Sequence, residues 1–537
     1  MSNITQIPAP RVPLIDAKTG LMSREWFRFF NYVYEQLNPA NYAQSSADVS
    51  YNEGGTGAVV RSVQSKLQES VSVKDFGAVG DGVTDDTAAI QAALNNLSSK
   101  GGCVELTNSG QYRIASNLNI PNGVILKGLI ELPGKFVAGA NSTAGFNLIG
   151  SSLFLASTAT IIIKEGAGLR GINIIRYGMA FPSADASAYA GTAITIGGDD
   201  AYLGYCSITG FNQGIYSNGY QRPHFEWLYM DNQNGVEITA CADITRLTNI
   251  HMWPFGVYPN GSTATFKRTG NAFYLHDTVD GPMLSNCFAI GYLNNFYFKN
   301  VSTILTSNCF ADNFLPYANS SGWLFEGFIN GFSSSGCSSW SSENGVIINT
   351  ADYQYVPIAG FIIENCSANG VKVLQGNSLI FNAFIASCNA GVYVDKTSSI
   401  VDVKNNTFAS ITTDPIVINV STNNVYIDQN INLASTTSSF VTSNDSIYQI
   451  ASANPLPIVN FGHTFNVTGT TNFSQLACGW AQRKVTLIFN GILTVTSGTG
   501  SRVSMRLSGN ANFTTSAGAT LTLAHNGAQW FEIGRSA

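Results

Sequence analysis

Charge is what this 537-residue sequence has least of: 11% of its residues are Asp, Glu, Lys or Arg, under half the roughly 25% usual in globular proteins. That scarcity argues against long salt-bridged surface helices and hence against a helical bundle. Cationic excess is missing as well. A formal net charge of −6 gives no basic footprint for a phosphate backbone, so nucleic acid is not expected as a partner. No run of 18 apolar residues occurs, and the N-terminus has no basic segment followed by an apolar run and a small-residue cleavage site. The sequence therefore predicts a soluble chain with no membrane insertion and no signal peptide. Nine Cys occur without one Cys-x-x-Cys, which indicates neither a complete disulfide framework nor a zinc knuckle. Buried free thiols are expected, and no metal or other cofactor.

What is abundant is neutral polarity: 52 Gly with many Asn, Ser and Thr, the composition of tight turns joining short strands. From about residue 160 the chain repeats. Phe211-Asn212-Gln213-Gly214-Ile215-Tyr216, Asn232-Gln233-Asn234-Gly235-Val236-Glu237 and Trp253-Pro254-Phe255-Gly256-Val257-Tyr258 align with their glycines 21 residues apart. Cys287, Cys309, Cys337, Cys366 and Cys388 then recur at intervals of 22, 28, 29 and 22. Short Ile/Val/Phe runs with a period in the twenties predict the coils of an all-β parallel solenoid over residues 71–435. Its thiols are expected to stack in one interior column at about 4.8 Å per coil, with the neighbouring Asn amides bonding from coil to coil.

The flanks differ. In residues 1–45 a Pro-rich arm precedes Trp26, Phe30, Val33 and Leu37, spaced as one face of a helix capped by Ser23 and stopped by Pro39. An anchoring helix that docks on a partner is expected, followed by a connector over 46–70. The stretch Val73–Thr87 carries a Gly-framed turn around Asp81 and leads into a capping helix at about 85–97, with Thr84 or Asp85 as its cap and the acidic residues in structural roles. Beyond 435, alternating runs such as Val485-Thr486-Leu487-Ile488-Phe489 predict a small antiparallel β-sandwich over 436–537.

Several of these segments resemble phage tailspikes of the pectate-lyase-like superfamily. Asp75-Phe76-Gly77-Ala78-Val79-Gly80-Asp81-Gly82-Val83-Thr84-Asp85-Asp86-Thr87 resembles the motif that opens their β-helix. Gly57-Ala58-Val59-Val60-Arg61-Ser62-Val63-Gln64-Ser65-Lys66-Leu67 is similar to their connector, and Gly527-Ala528-Gln529-Trp530-Phe531-Glu532-Ile533 to the end of their C-terminal domain. The resemblance implies a right-handed parallel β-helix. It also implies a homotrimer of the virion, made in the host cytoplasm, joined by its N-terminal segment to a phage tail or adaptor protein. Such a trimer faces a bacterial surface polysaccharide, lipopolysaccharide O-antigen or capsule. Members hydrolyse that glycan, cleave it by elimination or only bind it. The matched motifs are architectural, so candidate chemistry comes from the residues themselves.

Three of the five His lie between 224 and 276, and four of the seven Trp between 227 and 340. Glycoside hydrolysis needs one protonated carboxyl and a second carboxylate, about 5 Å apart for retention or 6.5–9.5 Å for inversion, and stacked coils supply such separations. Glu226, Asp231, Asp277 and Asp280 are the candidate catalytic carboxylates; Trp253, His251, His276 and His224 are the candidate substrate-binding residues. The 21-residue register puts Trp253 over Asn232 and Phe211, and Asp231 on the same edge, with Tyr258 to Gly270 as an overhanging loop. Competing readings give Asp277 and Asp280 to a turn before Gly281-Pro282, Glu226 to an ion pair with Arg246, each His to a structural role, and Trp227 to the interior over Cys206. Hydrolysis leads. A lyase, needing a cation or Arg beside a uronate and a His, Lys or Tyr base, and a non-catalytic adhesin are the alternatives.

Overall fold

The computed structural model describes residues 7–536 apart from 10, 38–44, 108–109, 130–149, 180, 182, 184, 258–266, 315–316, 352, 396–399, 420–424, 429, 434–437, 442–447, 459–462 and 480–482. The chain divides into two compact units, Met1–Val71 and Ser72–Ala537. No helix among the described residues is long and apolar enough to cross a membrane.

In the first unit, helix Arg24–Leu37 begins after Ser23, whose carbonyl accepts from Phe27 N–H. The expected stop at Pro39 lies outside the described residues. Trp26 donates from Nε1 to Val12 O at 2.9 Å and packs its ring on Phe29 and Phe30. Phe30 and Leu37 of the apolar stripe stay exposed. A short antiparallel ribbon of Ser50–Tyr51 and Arg61–Ser62 follows.

The second unit opens with the acidic motif as a folding device. Asp81 accepts from Val83 N–H, Thr84 N–H and the Thr84 hydroxyl, closing the turn. Asp86, 1% exposed, accepts from Val79 and Gly80 N–H. Asp85 bonds both the N–H and the hydroxyl of Thr87, at the start of helix Thr87–Asn96. That helix buries Ile90, Ala93 and Leu94 completely and closes the end of the solenoid core.

Each coil beyond it contributes a strand to each of three parallel sheets. The first sheet contains Gln213–Asn218, Asn234–Thr239, Asn271–Asp280 and the start of Asn294–Ser307. His224–Asp231 enters through the second sheet, bends at Trp227 and continues in the third, and Arg246–Met252 repeats that path. Alternation puts Phe273, Phe296 and Trp323 in one inward column, ring on ring at 4.9 and 4.2 Å. At the corner between the second and third sheets Asn249, Asn286 and Asn308 take φ of 54°, 53° and 50°, a left-handed conformation Asn tolerates. Their amides bond from coil to coil at 3.1 and 3.3 Å. Asn369 to Asn344 and Asn406 to Asn430 repeat the device in buried positions.

Four sequence expectations are corrected. The 21-residue step holds from Gly214 to Gly235, but Gly235 is followed in the ladder by Ala272, because the coil containing Gly256 carries an insertion. Trp253 consequently does not cover Asn232; its N–H bonds Met230 O and the third-sheet offset of 22 sets it beside Asp231. Trp227 is not interior: its φ of 51° turns the ring outward, where it stacks on Tyr205 at 6.2 Å. The thiols form two columns. Cys287, Cys309 and Cys337 enter the third sheet, whereas Cys366 and Cys388 leave it, as their bonding to successive coils shows.

The C-terminal segment has its own core around Leu487, Leu521 and Trp530. Its six-stranded sheet is mixed: Tyr448–Ala451, Thr464–Thr468 and Lys484–Phe489 run parallel, and Lys484–Phe489, Thr520–His525 and Trp530–Ser536 antiparallel. The expected boundary at Thr436-Thr437 falls outside the described residues.

Candidate functional site

The eight residues singled out from the sequence divide among the three faces. Glu226 and His224 stand on the second sheet, where Tyr202 holds both. Its hydroxyl donates to Glu226 at 2.7 Å and its ring lies edge-on to His224 at 5.8 Å. Arg246 is paired in the ladder with His224, not with Glu226.

His276 and Asp277 come together on the outer face of the first sheet. His276 Nδ1 lies 2.9 Å from Asp277 Oδ2, and Nε2 lies 3.3 Å from Glu237 Oε1 on the preceding coil. Burial lowers the imidazole pKa, but the two carboxylates outweigh it and the net shift is upward. Asp277 is held below its usual range, chiefly by His276 and then by the Asn300 amide at 2.7 Å. The neighbouring Tyr274 stacks on His276 at 4.1 Å and on Tyr297 at 4.5 Å, and Tyr297 donates to Glu326. Asp277 and Thr278, with φ of 48° and 65°, form a bulge within strand Asn271–Asp280, not a turn after it. Asp280 lies exposed beyond the bulge.

The third sheet holds the remaining three. Asp231 is 1% exposed: its carboxylate accepts from the Tyr189 hydroxyl at 3.0 Å, Gly256 N–H at 2.7 Å and the Arg268 guanidinium. Segments far apart in sequence thus seal it against solvent, and the expected catalytic carboxylate is the anchor of a wall. His251 is also withdrawn. Tyr229, Phe255 and Phe288 surround its ring at 5.4, 5.6 and 4.9 Å, and burial depresses its pKa to about 4. Trp253 is half-buried, with Phe314 edge-on at 5.7 Å.

From Trp253 the outer face continues as a track that sequence reasoning missed. Strands Phe288–Ile290, Phe310–Asp312, Ser338–Trp340 and Ile362–Glu364 are in register, so Asp312, Trp340 and Glu364 occupy successive rungs of one outward column. Trp340 is 40% exposed, and its Nε1 donates to Glu364 at 2.6 Å. Asp312 accepts from Phe314 N–H at 2.8 Å, and burial raises its pKa. Two rungs separate the carboxylates, about 10 Å of backbone rise, close to the upper end of the spacing of an acid and a water-activating base.

Residues 70–165 match the family model Rhamnogalacturonase A/epimerase, pectate lyase-like. The tail spike protein of Shigella phage Sf6 is 40% identical over 77 residues, 13% of this chain and 12% of that protein. The capsule K30/K69-specific depolymerase 1 of Klebsiella phage K5-2 is 41% identical over 81 residues, 15% and 10% of the two chains. The chain thus spans only about a tenth of the length of these curated relatives. The solved structure of a mutant tailspike protein of E. coli bacteriophage HK620 in complex with pentasaccharide covers 92% of this chain and 90% of its own, at 10% identity and a TM-score of 0.39. The chain is thus a three-sheet parallel β-solenoid whose opening module, residues 70–165, is similar to the pectate-lyase-like family model.

Proposed function

We propose that this chain is a phage tailspike that binds a bacterial surface polysaccharide, O-antigen or capsule, and hydrolyses it during host adsorption. The carrying observation is the Asp312–Trp340–Glu364 column. An exposed indole gives a sugar ring a flat apolar face, and the two carboxylates on either side differ as the reaction requires. Asp312, whose pKa burial raises, is the one suited to donate a proton to the glycosidic oxygen. Glu364, held by the Trp340 N–H, activates a water from the other side. Trp253 and Phe314 extend the sugar-binding surface. The short matches to a tail spike and a capsule depolymerase support the same reading, as does the resemblance of the N-terminal arm and helix to a tail-attachment segment of a homotrimer. Elimination is disfavoured, because no Arg or Lys stands in this column to neutralise a uronate.

Incubating the protein with surface polysaccharides and assaying reducing ends and unsaturated uronates tests the proposal. New reducing ends without unsaturation are expected. Asp312→Asn and Glu364→Gln each lose at least about a hundredfold in rate, in line with the loss of a general acid or base. Glu226→Gln, Asp277→Asn and Asp280→Asn serve as comparisons for the candidates on the other two faces. Cleavage unaffected by Asp312→Asn and Glu364→Gln but lost in one of these three would move the chemistry to that face. Retention without fragments would make the protein an adhesin.

A further inference from the structure

We infer that the third-sheet track takes an uncharged or amino-sugar polysaccharide and rejects chains bearing uronates or phosphates. The inference rests on the hydrolase reading and specifies its substrate class. The two outward columns of that sheet, followed rung by rung from Ser207 and Thr209 to Thr407 and Ala409, contain no lysine or arginine. Their charged members are Asp231, Asp312 and Glu364, all acidic. Among the described residues the corner turns that follow add Glu343 and Asp414 on the later coils and again no cation.

The cations that border these columns are engaged: Arg176, one residue beyond Ile175 on the rung before Thr209, donates to Ala188 O, and Arg113, three rungs before Thr209, lies over the Tyr177 ring at 4.6 Å. Arg268, 2% exposed, is ion-paired with Asp231, and Lys267 lies over the Tyr317 ring at 4.7 Å. His251 faces the track among aromatic rings and is neutral at physiological pH, so it supplies no positive charge either. An incoming anionic sugar therefore meets the Glu364 carboxylate beside Trp340 with no lysine or arginine in either column to offset it, and like-charge juxtaposition is the usual physical means of excluding a ligand. A neutral ring meets Trp340, Trp253 and Phe314 without that penalty, and an amino sugar gains from the Glu364 carboxylate.

The test uses the whole chain and a panel of bacterial surface polysaccharides of known structure in three classes: neutral, hexosamine-containing, and uronate- or phosphate-bearing. Retention is measured at low and high salt, with Trp340→Ala as the control for the track. Retained glycans should come from the first two classes, should lose at least tenfold in affinity with Trp340→Ala, and for neutral members should hardly respond to salt. Retention of a uronate- or phosphate-bearing chain that Trp340→Ala abolishes overturns the inference while leaving the hydrolase reading intact. Retention untouched by Trp340→Ala overturns the track as the binding surface. Absence of retention across all classes sinks the polysaccharide reading itself.

Discussion

Single side chains decide how the faces respond to solution conditions. His276 gains two carboxylate partners on folding, so its folded pKa lies above the unfolded value. Its contribution is present in full below the unfolded pKa near 6.5 and is lost as pH rises through the folded one. Asp277 works in the opposite sense, stabilising above its unfolded pKa and losing that as pH falls. Thermal melts of His276→Gln should therefore differ from the parent in slightly acidic buffer and converge with it in alkaline buffer; a pH-independent difference would contradict this linkage. Asp231 and Arg268 present the buried version of the problem. Arg268→Met leaves a carboxylate sealed without its cation and should cost about 3–5 kcal/mol in denaturant unfolding, whereas the double variant Asp231→Asn/Arg268→Met should recover part of that loss. A double variant no more stable than Arg268→Met alone would show that packing, not charge, dominates.

At the scale of strands and corners, the columns carry the stability. Asn286 and Asn308 hold a left-handed backbone and the next amide at once. Asn308→Val should be costlier than Asn308→Gly, because the β-branched side chain adds strain at positive φ to the lost hydrogen bond. Equal melting temperatures would remove the conformational part of that account. These columns also explain how far the sequence was legible. Gly214 to Gly235 revealed a coil because no insertion intervenes, while Gly256 matched by composition and lay on an insertion. The thiol series misled in a more specific way. Asp312 and Trp340 each stand three residues after a Cys of the entering column, but Glu364 stands two residues before Cys366, which belongs to the leaving column. Coils of 28 and 24 residues between these positions hid the rest. Asp231 was misjudged because the groups that bury it, Tyr189 and Arg268, are 42 and 37 residues away and reach it through segments with no repeat pattern.

For the second unit as a whole, the helix Thr87–Asn96 at one end and the Trp530 core at the other are bounded by different chemistry. Trp530, fully buried with its Nε1 bonded to Leu476 O at 3.0 Å, should cost about 3–5 kcal/mol when changed to Ala. Calorimetry would check whether that loss stays within the C-terminal core or lowers the main transition of the solenoid. In a stack whose coils contact mainly their neighbours, the first result is expected. A uniform downward shift of every transition would show that the whole unit melts as one.

The thiol columns hold one further consequence. Cys206, Cys287, Cys309, Cys337, Cys366 and Cys388 are all free and buried at known heights along the stack, and burial drives the Cys206 pKa up to about 12. In the intact fold burial withholds them from reagents in solution. Each becomes alkylatable only when its own rung opens, so mass spectrometry of labelled peptides during mild denaturation would record the order in which the coils unwind, with the protein's native residues serving as the clock.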